Sequence, residues 1–289
     1  MEKKAKLIHK VKRLLRRAGL PRWLHHFGPK KYEFWHHALA LLIRQECKLG
    51  YRRVTSLLRG LGFSVPCPSA LCMSAKRIPL SIWQRILQST LSVPHLAAMD
   101  GSGISRPLPS PYYYRRIDKP YPVEVPLKLS ILVDTRTKKI LSLRLRAKRA
   151  HDIKDAAYLL KRAPAPRCLV ADKAYDAEWL HQLCNNLGIR VCIPRRMWSK
   201  PRVGVTRLRY TARFNQRTYG RREIVESVFS ALKRKFGASV SAVTISAQRA
   251  EMYCRAIAHN IFWLIGLFER CLFHQYHLSS LYKIACMQL

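Results

Sequence analysis

Beyond Pro94 the hydrophobic pattern of this chain changes period, and that change limits the folds open to it more than any other feature. His95–Met99 is a short apolar run ended by Asp100, and Cys168–Ala171 is another ended by Asp172. Leu127–Val133 and Ile140–Leu145 are β runs joined by a turn around Thr135–Lys138, which reads as a hairpin. Helical patterns near Asp152–Leu160 and over Ala177–Leu187 alternate with these runs, and Ile189–Ile193 reads as a further strand. Such alternation implies an α/β fold with a mixed sheet flanked by helices. Gly101, Ser102 and Gly103 are expected to break the first strand just after Asp100. Between Arg195 and Arg217 there is little periodicity, so this basic segment reads as a loop on nucleic acid or as disorder in its absence.

Before Pro94 the pattern is helical: Phe34–Leu49, then Tyr51–Leu61 with Val54, Leu57, Leu58 and Leu61 inward, then a turn at Gly60 and Gly62. Pro66 and Pro68, with Ser69 as a candidate N-cap, open a third short helix carrying Lys76 and Arg77. This arrangement suits either a helix-turn-helix reader of DNA or a helical support for the next domain. The expected division is a helical, DNA-binding region over 1–92 and an α/β domain over 93–289, with the latter ending in a helix near Ala247–Phe273.

Charge narrows the partners. Lys and Arg total 54 against 16 Asp and Glu, a formal charge of +38, which repels itself unless polyanions surround it. Nucleic acid is the obvious polyanion, with RNA packing or an anionic membrane surface as the bland alternatives. The basic start of the chain, Lys3 to Lys12, lacks the apolar core of a signal peptide and reads as a helix on DNA. The longest apolar run, Ala256–Phe268, is interrupted by His259 and Asn260 and too short to span a bilayer of roughly 30 Å, so it reads as a core helix. The 9 scattered cysteines argue against a closed disulfide framework and point to a reducing cytoplasm. Cys67 and Cys72 have no second pair at zinc-ligand spacing, so most cysteines read as small core hydrophobes.

In so basic a chain the placement of each carboxylate carries information. If the strands ending in Asp100 and Asp172 lie parallel and adjacent, both carboxylates leave the same sheet edge, where open α/β folds put their sites. Tyr219, Arg222, Glu226 and Lys233 fall in a segment that reads as one helix, and at about 100° per residue they share roughly 60° of arc. Ile224, Val225, Val228, Phe229, Leu232 and Phe236 fall mostly on the other side. Glu226 thus joins the two aspartates as a candidate third carboxylate, and such a cluster is tolerable only with protons or hard cations. Two Mg²⁺ or Mn²⁺ ions about 4 Å apart there suit phosphodiester hydrolysis or transesterification. Asp134 also ends an apolar run, but a hairpin partner runs antiparallel, so it is expected at the opposite edge serving the turn at Thr135. Asp176 is expected to cap the helix near Ala177, and Asp152 with His151 to open its own helix, an approach of His151 to the site being the lesser alternative.

The spacing of Tyr219, Arg222, Glu226 and Lys233 resembles the YREK signature of bacterial and archaeal insertion-sequence transposases of the DDE class. Asp100-Gly-Ser-Gly-Ile104 is similar to that family's first-aspartate motif, and Asp172-Lys-Ala-Tyr-Asp176 to its second. Lys128–Asp134 and His151-Asp152 are similar to further family blocks, and the likeness runs from about Ala97 to Trp263. Gly101 departs from the Ser or Thr common at that place in relatives. The resemblance implies an RNase H-like fold, with Asp100, Asp172 and Glu226 as catalytic, metal-holding residues for two Mg²⁺ or Mn²⁺ ions. It implies a cut-and-paste reaction on DNA bounded by terminal inverted repeats, and a homodimer in a prokaryotic, nucleoid-associated setting, with no membrane or small-molecule partner. Tyr219, Arg222 and Lys233 are the implied DNA-phosphate contacts, and Lys128 and Lys173 are further candidate DNA contacts. A nuclease that never joins strands, and a DNA-binding regulator derived from a transposase, are the competing readings.

Overall fold

In the computed structural model, the residues described are 2–24, 31–107, 111–120, 126–148, 150–197, 204–262 and 264–272. The chain divides into two units, Leu91–Ala256 and a second made of Met1–Thr90 with Ile257–Leu289.

The first of these is built on a five-stranded sheet in the order β3-β2-β1-β4-β5. Its strands are β1 (Leu96–Ser105), β2 (Pro126–Asp134), β3 (Ile140–Arg146), β4 (Cys168–Ala171) and β5 (Arg190–Cys192). β1, β2 and β3 run antiparallel as neighbours, whereas β4 lies parallel to β1 and β5 parallel to β4. The result is the mixed α/β sheet flanked by helices that the sequence pattern implied. β1 does not stop at Asp100: it continues through Gly101, Ser102 and Gly103, which pair with Ser130, Leu129 and Lys128. Nine successive partners on β2 hold the glycines extended, so tertiary pairing overrides their weak strand propensity. The hairpin forms as expected, with Lys138 in the left-handed region at φ 58°. Alternate residues of the central strands face a core of Ala97, Met99, Leu132, Leu169 and Ala171, filled from the helices by Leu159, Leu180 and Cys184.

The helices that fill this core are short: a 3₁₀ turn at Asp152–Asp155 leads into one over Ala156–Leu160, and another covers Glu178–Asn186. The segment expected to be an irregular loop instead holds helices over Val205–Thr211 and Gln216–Tyr219, while 198–203 lie outside the described residues. The expected single helix from Tyr219 is divided as well. Gly220–Arg222 is a 3₁₀ turn, and the α-helix proper runs Glu223–Phe236, burying Val225, Val228, Phe229, Leu232 and Phe236. Gly220, a weak helix former, sits where the geometry tightens. After Gly237, at φ 91°, the chain returns to pair Ser239 with Ser105 at the end of β1.

The other unit is helical, with helices over Glu2–Arg17, Phe34–Glu46, Tyr51–Gly60, Pro68–Arg77 and Leu80–Gln88. Leu7, Val11, Leu39, Ile43, Val54, Leu58, Leu71 and Trp83 are buried. Cys67, not Ser69, occupies the N-cap of the fourth of these helices, and Pro68 takes the first helical position, where its missing N–H costs nothing. Ile257 and the described residues after it group with this helical unit, where the expected division set them in the α/β domain. Buried Asn260 donates from Nδ2 to Thr90 Oγ1 at 2.9 Å, and Leu264 and Phe268 are fully buried. The last helix is also not continuous: Ile245–Asn260 ends before Ile261, and a further helix covers 264–272. The described cysteines are free thiols, and no described helix is long and apolar enough to cross a membrane.

Candidate active site

β1 and β4 are parallel neighbours whose last paired positions are Met99 and Ala171, so Asp100 and Asp172 emerge side by side at one sheet edge. Asp134 pairs with Ala97, at the other end of β1. Its buried carboxylate accepts from Arg136 N at 3.0 Å and Thr137 Oγ1 at 2.5 Å, which makes it the organiser of the hairpin turn as expected.

Asp100 and Ser102 lie on the same face of β1, since strand side chains alternate. Helix Glu223–Phe236 packs on β1 and brings Glu226 and Lys233 to this face. Lys233 Nζ donates to Ser102 Oγ at 2.9 Å. Arg222, at the end of the 3₁₀ turn, donates to Asp100 Oδ2 at 3.3 Å and pairs with Glu226 Oε1 at 2.6 Å. One guanidinium thus sits between two of the three candidate carboxylates. A cavity of about 530 Å³ opens here, lined by Asp100, Ser102, Glu226, Ser230, Lys233 and Arg234 among others.

The electrostatics follow from these placements. Burial raises the Asp100 carboxyl above its ordinary range; the Gly101 N–H and Arg222 oppose this, while Asp152 and Asp172 add to it. The Asp172 carboxylate accepts its own loop's Lys173 N–H at 2.6 Å, and Glu226 is 54% exposed. Among the described residues no three His, Cys, Asp or Glu side chains converge as a metal-holding group. Arg222 holds Asp100 and Glu226 to itself instead. The donors are nevertheless all carboxylate oxygens, they crowd negative charge beside the half-buried Asp100, and a cation already stands between two of them. That chemistry fits a hard divalent ion.

The remaining predicted residues divide. Lys173 is exposed beside Asp172. Tyr219 is half-buried with its ring 5.5 Å from that of Phe214. Lys128 is not open to a phosphate: only 14% exposed, it pairs with Asp152 at 2.5 Å and donates to the Ala150 carbonyl. Its place opposite Gly103 puts it on the sheet face away from Asp100. His151 is exposed and precedes the 3₁₀ turn that Asp152 opens.

Two aspartates were misjudged or unnoticed in the sequence. Asp176 does not cap the next helix, whose N-cap is Ala177. It is buried and accepts from Arg207 Nε at 2.8 Å, Arg207 Nη2 at 2.6 Å, His181 Nε2 at 3.0 Å and Arg196 N at 2.7 Å. Asp155, fully buried, accepts from Ser130 Oγ at 2.8 Å and Arg146 Nε at 2.6 Å, with Arg144 at 3.2 Å.

Residues 92–261 match the profile of the family described as "Transposase DDE domain". Among solved structures, the piggyBac transposase synaptic complex with hairpin DNA is similar at 12% identity and a TM-score of 0.45, over 91% of this chain and 73% of that one. The Mos1 strand transfer complex is similar at 13% identity and a TM-score of 0.30, over 88% of this chain and 81% of that one. No curated protein matches the chain in sequence.

Proposed function

We propose, from the premise that this chain belongs to the transposase DDE domain family and is a DNA transposase, that it acts on terminal inverted repeats through Asp100, Asp172 and Glu226. The reading is supported above all by one juxtaposition: two aspartates leaving neighbouring parallel strands under a helix that carries Glu226 and Lys233. In this reading the three carboxylates hold two Mg²⁺ or Mn²⁺ ions. Those ions, when bound, supply an activated water or 3′-hydroxyl and stabilisation of the leaving oxygen.

The chain's own residues do the rest. Arg222, shared by Asp100 and Glu226 here, would be free to turn to a DNA phosphate were those carboxylates engaged by cations. Lys233, held by Ser102, keeps its ammonium at the cavity wall, roughly 10 Å along the helix from Glu226, to grip a phosphate outside the reacting bond. Tyr219 and Lys173 flank the same edge and contact the backbone. Lys128, engaged by Asp152, is left out of the DNA contacts. Pairing of two element ends makes a homodimer the working assembly.

The test is cleavage of labelled DNA flanking the gene, in Mg²⁺, by the wild type and by Glu226→Gln. Cuts at inverted-repeat termini with joined products, made by the wild type alone while both bind DNA, are expected. Cutting without joining would turn the reading to a nuclease, and equal cutting by both would remove Glu226 from the site. Lys233→Ala should flatten the salt dependence of DNA affinity by about one unit of slope, as loss of one phosphate contact requires.

A further inference from the structure

From Gly204 to Arg222 the chain has Arg207, Arg209, Arg213, Arg217, Arg221 and Arg222 and no acidic residue. These arginines do not behave alike. Arg207 is buried in the Asp176 ion pair, while Arg209, Arg213, Arg217 and Arg221 are exposed and, among the described residues, make no ion pair or side-chain hydrogen bond.

The segment is fastened along its length. At its start, the Glu178 carboxylate accepts from Thr206 N at 3.2 Å and Arg207 N at 2.8 Å, and a Cβ at residue 204 would overlap that carboxylate, which accounts for Gly204. Tyr210 stacks on His181, the other side chain that donates to Asp176, with ring centroids 5.9 Å apart. In the middle, the Asn215 carbonyl accepts from Cys192 Sγ at 3.3 Å, at the end of β5, and the Asn215 side chain caps the next helix by accepting from Thr218 N at 2.9 Å. At its end, Arg222 reaches Asp100. The helix over Val205–Thr211 packs on β5, and the Gln216–Tyr219 helix and the 3₁₀ turn pack on β4. The segment therefore crosses the edge of the sheet from which Asp172 and Asp100 emerge. Its start is tied to Asp176, in the turn that follows Asp172, and its end to Asp100 itself.

We infer that Asp176 and Arg207 are positioning residues that anchor this segment across the catalytic edge, so that exposed Arg209, Arg213 and Arg217 form a track for the DNA phosphate backbone leading to Asp172. The inference rests on the transposase reading for its substrate. A buried ion pair is a poor source of net stability and a good means of fixing one arrangement, because removing either partner strands the other. Here the fixed arrangement is a row of cations that would otherwise repel one another and spread into solvent. Each arginine that meets a phosphate contributes about 0.9 to the slope of log affinity against log salt.

The experiment measures that slope on the full chain with labelled random-sequence duplex DNA. Arg209→Ala/Arg213→Ala/Arg217→Ala should lower it by about 2–3 units. Arg207→Met should lower it similarly although Arg207 itself touches no DNA, and adding the triple substitution to Arg207→Met should then change it by less than about one unit. Asp176→Asn should behave as Arg207→Met, and Arg207→Lys should restore part of the slope. The same three-unit effect of the triple substitution in both backgrounds would overturn the anchoring role, and no effect in the wild type would overturn the track. If Arg207→Met does not fold, the triple substitution alone still decides whether the track exists. Cleavage at element ends with an unaltered slope would sink this inference and leave the transposase reading standing, whereas slope changes without any cleavage would do the reverse.

Discussion

Gly101→Ala is a substitution whose effect on stability should change sign with the residue at position 152. A Cβ at residue 101 would overlap Asp152 Oδ1 and lie 3.3 Å from Lys128 Cε, so the Asp152 carboxylate fills the place a side chain at 101 would take. Asp152 is 35% exposed and can swing away, but only by giving up its 2.5 Å pair with Lys128. That pair lies between an exposed bridge and a buried one, so its loss should cost about 1–2 kcal/mol. Against this, replacing a strand-interior glycine without positive φ by alanine gains about 0.5–1 kcal/mol from the unfolded chain. Gly101→Ala should therefore destabilise the wild type by up to about 1.5 kcal/mol and stabilise Asp152→Ala by about 0.5–1 kcal/mol, a coupling of about 1–2 kcal/mol. Hydrogen exchange of β1 and β2 amides away from residue 101 reads this locally, which matters in a chain of two units that need not unfold together. An equal effect of Gly101→Ala in both backgrounds would refute the argument that Asp152 and a side chain at 101 compete for one space.

Asp155→Ala should destabilise the sheet unit by about 2–4 kcal/mol in the same exchange measurement, because buried Ser130 loses its acceptor while the half-exposed Arg144 and Arg146 can turn to water. Asp176 gives an acid-linked signature. Burial pushes its carboxyl up, but hydrogen bonds from His181, Arg207 and the Arg196 N–H outweigh burial and hold it well below the usual carboxylate range. A group depressed in the folded state contributes stability that is present above its unfolded value of about 3.9 and lost as pH falls below it toward the folded value. Wild-type stability should thus fall on acidification through this window, and Asp176→Asn, weaker at neutral pH, should show a shallower fall in a pH series of thermal melts. Leu232→Ala, at a buried position of the helix that carries Glu226, should cost about 2–5 kcal/mol and slow DNA cleavage more than it weakens DNA binding.

The elements that could be read in the sequence are those whose cause is local. Cys168–Ala171 is apolar throughout and ends as a strand where its pattern ends, and the apolar stripe of Val225, Val228, Phe229 and Leu232 is buried as its 3.6-residue period requires. The adjacency of Asp100 and Asp172 was a condition in the sequence, and the parallel pairing of β1 with β4 meets it. What could not be read has non-local causes. The continuation of β1 through two glycines depends on β2, some thirty residues away, supplying partners down to Pro126. The helices of the 204–219 segment depend on Glu178 and Asn215 as caps that no local pattern announces as such. The grouping of residues beyond Ile257 with the first helices depends on which apolar surface they find.

Aspartates show most sharply why sequence alone separates structural from catalytic carboxylates poorly. Asp100, Asp134 and Asp172 each follow an apolar run, and Asp176 follows Asp172 by one turn, so the four are nearly alike as text. Strand direction removes Asp134 to the opposite edge, where the turn's own N–H and hydroxyl satisfy it. Asp176 is removed by an arginine 31 residues downstream that neutralises it bidentately. Among the described residues, Asp100 and Asp172 each accept only from the N–H of the residue that follows and, for Asp100, from the long contact of Arg222. In a chain with 54 basic residues, a carboxylate left so lightly paired is conspicuous, because cations to neutralise it are everywhere in the sequence. At this edge the fold answers Asp100 with the long Arg222 contact and not with a close ion pair, and an incoming divalent ion is what such an edge can accept.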